Sequence, residues 1–284
     1  MDRTPAPSST VTLPSGRSVP ALGQGTWHMG DRPERREREI ATLREGLDLG
    51  LTLVDTAEMY GDGRSERLVG EALAGRRDEA FVVTKVLPTH ATRRGVVESC
   101  EASLRRLGTD HVDLYLLHWR GSVPLGETVA GFHDLVDRGL IAGWGVSNLD
   151  VADLADLPEG EVPEVDQVLY NLSRRWPEPE LFPALQDRRI AVMAYSPIEQ
   201  GRVLASPALA RVADRHGATP ARVALAWVLT HPGVIAIPQT SSPEHVRDNA
   251  AARTLVQELD EEDLAVLERE FPAPTEASPA MELL

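Results

Sequence analysis

Short apolar runs alternate with longer segments of helical periodicity along most of the chain. Each run is nearly continuous in Val, Ile, Leu and Ala, which is typical of strands buried on both faces of a parallel sheet. The intervening segments repeat apolar residues every three or four positions, as Ile40, Leu43 and Leu47 do before Gly50. The predicted strands are residues 21–26, 51–54, 81–84, 112–117, 141–146, 165–169, 190–194 and 234–237.

Eight strands, each followed by a helix, within about 250 residues predict an α/β fold, a closed (β/α)8 TIM barrel. Residues 11–13 and 18–19 flank a Pro- and Gly-containing turn and predict an N-terminal β-hairpin. An open doubly wound sheet is the structural alternative, and it normally carries a G-x-G-x-x-G motif. His28 and Asn148 stand where the two candidate motifs need their third glycine, so the barrel is favoured.

No linker divides the chain, and residues 1–284 are predicted to form a single barrel domain. Residues 1–10 are rich in Pro and Ser, which predicts disorder and not a secretory signal. Residues 272–284 are Pro-rich and are predicted to form a C-terminal tail on the outside. Residues 207–216 predict an additional helix before another that begins at Pro220 with Thr219 as its cap.

Composition narrows the classes of partner. A net charge of -15 argues against nucleic acid and against an anionic membrane surface. No apolar run approaches the roughly 20 residues that a membrane span needs. The single cysteine excludes an intrachain disulfide and fits a reducing compartment. These features together predict a cytoplasmic protein.

A polar residue follows nearly every predicted strand. The carboxyl ends of the strands carry the active site in barrels of this kind, and a purely structural barrel would need no such ring. The residues concerned are Asp55, Lys85, His118, Asn148, Asn171, Ser196 and Gln239.

Four of the polar side chains are predicted to meet. Asp55, Lys85 and His118 close three consecutive strands, and Tyr60 lies on the loop after the first of them. A nearby ammonium is expected to lower the pKa of the phenol below its usual value of about 10. Asp55 can keep the buried lysine charged, and a neutral His118 can orient a carbonyl group. This chemistry predicts that Tyr60 donates a proton to an oxygen that becomes an alkoxide.

Motifs in the same order resemble those of the aldo-keto reductases. Residues 55–61 (DTAEMYG) resemble the first signature of that family, residues 114–119 (LYLLHW) the second, and residues 145–148 (GVSN) the end of its fifth strand. The resemblance covers nearly the whole chain. Among members, the chain looks most like bacterial enzymes related to methylglyoxal reductase, through residues 25–30, 118–121 and 143–150.

The resemblance implies reduction of an aldehyde or ketone to an alcohol by NADPH, without a metal or a flavin. Tyr60 would be the general acid, Asp55 and Lys85 would tune it, and His118 would orient the carbonyl. The cofactor contacts that the resemblance implies are Ser147, Asn148 and Gln167 for the nicotinamide carboxamide, Tyr195 for stacking on the ring, and Ser196 for the pyrophosphate. Trp27 and Trp119 follow strands and are candidates to line the substrate pocket.

A second part of the cofactor site is expected after the eighth strand. A helix begins at Ser242 there, and free amides at a helix start favour an anion. The resemblance places the adenosine 2′-phosphate at this point, where Gln239 and His245 replace the usual lysine and arginine. Thr240 and Ser241 remain as hydroxyl donors, and Asn249 matches the adenine contact. NADP(H) is the cofactor that the resemblance implies, and NAD(H) is the alternative because the two cations are replaced.

Other functions stay open at this point. A non-catalytic, cofactor-sensing regulatory or binding subunit is the alternative on the same fold, and a barrel isomerase or hydrolase acting on phosphorylated substrates is a third. Short predicted loops favour small aldehydes and α-keto aldehydes such as methylglyoxal as substrates, and a monomer is expected. Cys100 is predicted to lie in the core, and the charged run at residues 35–39 to be an exposed helix face.

Overall fold

Eight parallel strands form the centre of the protein in the computed structural model, which describes residues 9–276. Each strand pairs with the next along the chain, in the order β10-β9-β8-β7-β6-β5-β4-β3. Hydrogen bonds from Gly23 N to Ala236 O (2.9 Å) and from Gly25 N to Pro238 O (3.0 Å) join the two edges and close the barrel. The predicted (β/α)8 fold is confirmed. The strands are β1 Thr10–Thr12, β2 Ser18–Pro20, β3 Gln24–Gly25, β4 Leu53–Asp55, β5 Phe81–Val86, β6 Leu114–Leu117, β7 Trp144–Ser147, β8 Val165–Leu169, β9 Ala191–Tyr195 and β10 Val234–Ala236.

Helices cover the outside of the barrel and bury one apolar face each against it. Their ends follow local sequence: the Thr92 hydroxyl accepts from Gly95 N to cap α3, and Gly108 ends that helix at a φ of 65°. Cys100 is fully buried on α3, as predicted. The helices are α1 Arg36–Asp48, α2 Arg64–Ala72, α3 Arg93–Leu107, α4 Leu125–Asp137, α5 Val151–Ala155, α6 Leu181–Asp187, α7 Pro207–His216, α8 Pro220–Leu229, α9 Pro243–Leu255 and α10 Glu261–Glu270.

The hairpin of β1 and β2 covers the amino-terminal end of the barrel. The Ser15 hydroxyl donates to Glu164, just before β8, at 3.0 Å. The Arg17 guanidinium lies 5.5 Å from the centre of the Phe81 ring at the start of β5. The opposite, carboxyl-terminal end is therefore the open one, where the predicted polar ring lies.

Two predictions differ from the structure. The first barrel strand contains only Gln24 and Gly25, because single bridges rather than a continuous ladder join it to β10. The charged run at residues 35–39 is not wholly exposed, since Glu39 is 1% exposed. Its carboxylate accepts hydrogen bonds from Gly30 N (2.9 Å) and from the Ser241 hydroxyl (3.2 Å), which removes the cost of burying it.

The predictions for the two ends of the chain fall mostly outside the described residues. Of residues 1–10, residues 1–8 lie outside, and Thr10 belongs to β1. Of the predicted tail at residues 272–284, residues 277–284 lie outside. Among residues 9–276 the structure contains no helix with the length and apolar character to cross a bilayer.

Candidate active site

Lys85 lies at the centre of the polar ring and contacts two of its predicted partners. Its ammonium donates to the Asp55 carboxylate at 2.8 Å, to Thr56 O at 2.8 Å and to the Tyr60 hydroxyl at 3.2 Å. These donations use its three protons. Asp55 and Lys85 belong to the paired strands β4 and β5, so the backbone register sets their separation. Lys85 is also the only lysine in the chain.

A tight turn after β4 places Tyr60 over this pair. Gly61, Asp62 and Gly63 have φ values of 56°, 57° and 76°, which glycine adopts at little cost. A Cβ on Gly61 would lie 2.6 Å from the Asp31 carboxylate, which would have to move to make room for it. The positive φ values at Gly61 and Gly63 therefore favour glycine at both positions of this turn.

His118 completes the predicted cluster from the end of β6. Its ring meets the Tyr60 ring edge-on, with centroids 5.7 Å apart, and lies against Trp119 at 4.9 Å. Burial, followed by the Lys85 charge, lowers the pKa of His118 to about 3. The imidazole is therefore neutral at physiological pH, which is the form that can orient a carbonyl group by a hydrogen bond. Its Nδ1 is buried and has no hydrogen-bond partner among the described residues.

The expected direction of the Tyr60 pKa is wrong. The ring is partly exposed, but its hydroxyl lies beside the fully buried Lys85 ammonium. Burial raises the pKa of Tyr60 well above its usual value, and the Asp55 charge raises it further. The phenol is thus held protonated at neutral pH, which is the state a proton donor needs.

Burial also acts on the pair beneath the tyrosine. It raises the pKa of Asp55, against the attraction of Lys85 and the hydrogen bond from Gln167. It lowers the pKa of Lys85, against the attraction of Asp55. Each charge thus offsets the desolvation of the other, in a pocket where both side chains are at most 3% exposed.

Three polar residues extend the cluster across the barrel mouth. Gln167 Nε2 donates to the second oxygen of Asp55 at 2.8 Å, across the interior from β8 to β4. Asn148 Nδ2 lies 3.2 Å from His118 O and 3.1 Å from the Ser147 hydroxyl. The Tyr195 hydroxyl donates to Asn148 Oδ1 at 3.1 Å. The predicted nicotinamide residues are therefore in one network with the predicted catalytic residues.

The loop after β9 is held in a strained conformation. Ser196, Glu199 and Gln200 have φ values of 48°, 49° and 52°, a region that residues other than glycine rarely adopt. Glu199 is buried, and its carboxylate accepts from Asn171 Nδ2 (2.8 Å) and Arg202 (2.7 Å). Asn171 also donates to Ser196 O at 2.9 Å. The polar ring predicted Asn171 and Ser196, but no motif marks Glu199, whose partners depend on the folded loop.

The loop after β10 places the remaining predicted cofactor residues at the start of α9. The Thr240 hydroxyl accepts from Ser242 N at 3.1 Å, and Gln239 Nε2 donates to the Ser241 hydroxyl at 3.3 Å. Helix α9 begins at Pro243 without a side-chain cap from Ser242. His245 is exposed and Asn249 is buried on the same helix.

The two predicted pocket tryptophans are half-buried. Trp119 packs on the His118 ring, so it lies beside the cluster. Trp27 follows β3 and stacks on His28, with ring centroids 4.1 Å apart. The structure thus connects Trp119 to the cluster directly and shows no such ring contact for Trp27 among the described residues.

Comparison with known proteins identifies the family. The sequence model described as the Aldo/keto reductase family matches residues 21–269. The chain belongs to the aldo/keto reductase family. It is 49% identical over 265 residues to the protein named methylglyoxal reductase YeaE of Escherichia coli, covering 90% of this chain and 93% of that one.

Solved aldo/keto reductase structures share the fold over nearly the whole chain. A reductase from Klebsiella pneumoniae in complex with NADPH superposes with a TM-score of 0.93 at 45% identity, covering 97% of this chain and 99% of that one. A structure from the same organism with NADP and acetate gives a TM-score of 0.94 at 45% identity, covering 98% and 100%. The resemblance drawn from three short motifs is confirmed.

One buried acid in this aldo/keto reductase lies outside the cluster and was not predicted. Asp166 precedes Gln167 on β8, and alternation along the strand sends the two side chains to opposite faces of the barrel wall. Asp166 is 0% exposed, and its two carboxylate oxygens have no hydrogen-bond partner among the described residues. The Leu149 amide approaches it without reaching hydrogen-bond geometry. Burial raises the pKa of Asp166 well above its usual value.

Proposed function

We propose that this chain reduces small aldehydes and ketones to alcohols with NADPH, with Tyr60 as the general acid. One observation carries the proposal: a single buried ammonium bonds both the Asp55 carboxylate and the Tyr60 hydroxyl. Membership of the aldo/keto reductase family supports the reaction class. The NADPH and NADP named in the two Klebsiella structures support the cofactor.

The residues present fit a nicotinamide cofactor. Buried hydrogen-bonding side chains of Ser147, Asn148 and Gln167 line one side of the mouth, where a carboxamide needs both donors and acceptors. Tyr195 and Ser196 are half-buried at the end of a strand whose preceding residues are buried, so both can face a ligand. When bound, the reduced nicotinamide supplies a hydride to the carbonyl carbon.

The mechanism follows from the hydrogen-bond directions. Lys85 donates to the Tyr60 oxygen, so the phenol proton is free to point toward a carbonyl oxygen. The raised pKa of Tyr60 keeps that proton in place until an alkoxide, which is far more basic than a carbonyl oxygen, forms. The Lys85 ammonium then stabilises the tyrosinate that remains. Neutral His118 can donate a hydrogen bond that orients the carbonyl.

The substrate class is proposed from the relatives and from the open end of the barrel. The Escherichia coli relative is named for the reduction of methylglyoxal, a small α-keto aldehyde. We extend that class to this chain, with Trp119 as one wall of the pocket and Trp27 as a candidate for another. A single domain spanning the chain, a monomeric state and a cytoplasmic location belong to the same proposal.

Tyr60→Phe tests the proposed acid. The change removes only the hydroxyl, so reduction of methylglyoxal should fall by about 10²- to 10⁴-fold in kcat, while NADPH still binds. Tyr115→Phe is the matched control, because it removes a hydroxyl that is buried without a hydrogen-bond partner among the described residues. It should keep full activity.

Retained turnover in Tyr60→Phe would contradict the proposed role of the phenol. Absence of aldehyde-dependent NADPH oxidation in the unmodified protein, with NADPH bound, would instead favour the non-catalytic cofactor-sensing alternative. Absence of nicotinamide cofactor binding altogether would return the third option, a barrel isomerase or hydrolase.

A further inference from the structure

Two consecutive residues of helix α1, Arg38 and Glu39, form hydrogen bonds with two consecutive residues of the loop after β10, Ser242 and Ser241. Glu39 accepts a hydrogen bond from the Ser241 hydroxyl at 3.2 Å and another from Gly30 N. The preceding helix residue, Arg38, donates from its guanidinium to the Ser242 hydroxyl at 3.0 Å. Arg38 and Ser242 are 204 positions apart in sequence, so only the packing of α1 beside α9 brings them together.

Arg38 has no carboxylate partner among the described residues, unlike two neighbouring arginines. Arg36 on the same helix forms an ion pair with Glu71, and Arg247 on α9 forms one with Glu45. Arg38 is exposed and forms no ion pair with any acid within residues 9–276. Its Ser242 contact occupies one N–H group of the five that a guanidinium carries. The remaining donors are available to an anion at this loop.

The loop itself supplies no strong cation. Residues 239–246 contain neither lysine nor arginine. Gln239 and His245 stand where the family resemblance places a lysine and an arginine, and the Gln239 amide is directed at Ser241. A phosphate monoester carries close to two negative charges at neutral pH, and such groups in proteins are recognised by Arg or Lys. Arg247, the next residue on α9, pairs with Glu45, so a cation without an acidic partner has to come from another element.

We propose that Arg38, on helix α1, selects NADP(H) over NAD(H) by pairing with the 2′-phosphate of the adenosine ribose. The inference rests on the proposed function, since it takes the nicotinamide cofactor as the ligand. A guanidinium matches a phosphate through two parallel N–H donors, and Ser242 holds it at the loop. The neighbouring Glu39 is buried and accepts two hydrogen bonds, one of them from Ser241, so this part of α1 contacts the loop at two consecutive residues.

Direct titration of the purified full chain with NADP+ and with NAD+ tests the proposal without relying on turnover. Dissociation constants come from quenching of tryptophan fluorescence, with calorimetry as a second readout. Arg38→Ala should raise the Kd for NADP+ by about 10- to 100-fold and leave the Kd for NAD+ unchanged. Arg38→Lys should give a Kd for NADP+ between these values, because it keeps the positive charge but loses the two parallel N–H donors of the guanidinium. Arg36→Ala removes the same charge from the same helix and should change neither Kd.

Three other outcomes would each overturn a different part of the proposal. An unchanged Kd for NADP+ in Arg38→Ala, or an equal rise for both cofactors, would overturn the assignment of Arg38 while the proposed reductase function stands. An unmodified chain that binds NAD+ but discriminates against NADP+ would overturn both the assignment and the choice of NADPH. An unmodified chain that binds neither cofactor would overturn the proposed function itself.

Discussion

Asp55 on β4 and Asp166 on β8 are both buried in the barrel wall, and they differ in what surrounds the carboxylate. Asp55 receives the Lys85 ammonium on one oxygen and the Gln167 amide on the other, each at 2.8 Å. Asp166, one residue from Gln167 but on the opposite face of the same strand, has no hydrogen-bond partner for either oxygen within the described residues.

The difference shows that burial alone does not make a functional acid. Burial raises the pKa of both carboxyls, and the partners of Asp55 oppose that rise. The charges of Asp153 and Asp150 raise the pKa of Asp166 further. Asp55 can therefore hold a charge that organises the site, whereas Asp166 is favoured as a neutral acid. Substitutions at Lys85, Asp55 and Asp166 test this contrast, from the largest expected effect to the smallest.

Lys85→Met should make Asp55 resemble Asp166, as a buried carboxylate without a cation beside it. The change leaves a buried carboxylate without its cation, which costs about 3–5 kcal/mol of unfolding free energy at neutral pH, measured by urea denaturation. Reduction should be lost as well, because Tyr60 loses the ammonium that stabilises its anion.

Asp55→Asn and the Asp55→Asn/Lys85→Met double variant complete the cycle. The double variant should be more stable than the sum of the two single losses predicts, because it contains no unpaired buried charge. Additive losses would mean that the two side chains contribute independently, and the pairing described for Asp55 would be wrong.

Asp166→Asn should stabilise the protein, in contrast to changes at Asp55. The folded state raises the pKa of Asp166 above the unfolded value of 3.8, so its penalty is absent below that pH and grows as pH rises. The variant should gain about 1–3 kcal/mol in unfolding free energy at pH 8, and less at pH 5. Urea denaturation at both values measures the difference.

Activity provides the control for this variant. Since Asp166 points away from the mouth, kcat for an aldehyde should stay within about twofold of the unmodified enzyme. A gain in stability that does not depend on pH would show that the buried charge of Asp166 is not its source. A loss of stability would show that the carboxylate forms a stabilising contact.

The smallest expected effect is a flat pH profile. His118 is neutral above about pH 3, and the raised pKa of Tyr60 keeps the phenol protonated through the neutral range. Aldehyde reduction measured as kcat/KM should therefore vary little between about pH 5 and pH 9. An acidic decline near pH 6.5 that disappears in His118→Gln would show that the imidazole becomes charged in the working enzyme.

Local patterns in the sequence predicted the barrel and the positions of its polar ring. Strand ends are readable because each buried run stops at a polar residue, and consecutive strands of a barrel are neighbours. The sequence alone therefore predicts that Asp55, Lys85, Tyr60 and His118 lie together. Their proposed roles in catalysis stay predictions until the variants are measured.

Other features depend on contacts between distant segments and left no local signal. Glu39 lies in a charged run that is typical of an exposed helix, and its burial depends on Ser241, two hundred residues away. The rise in the Tyr60 pKa came from desolvation, which a list of neighbouring charges does not contain. Asp166 stands in an apolar strand, and its lack of partners is visible only in three dimensions.

The solitary lysine has a practical consequence for spectroscopy. Because Lys85 is the only residue of its type, isotope labelling of the lysine Nζ atom would give a single ammonium nitrogen resonance, and that resonance would arise from the barrel mouth. Titrating that signal would report the charge state of the ammonium, and following it during ligand addition would show how the mouth responds. The natural sequence thus contains its own site-specific probe, with no substitution required.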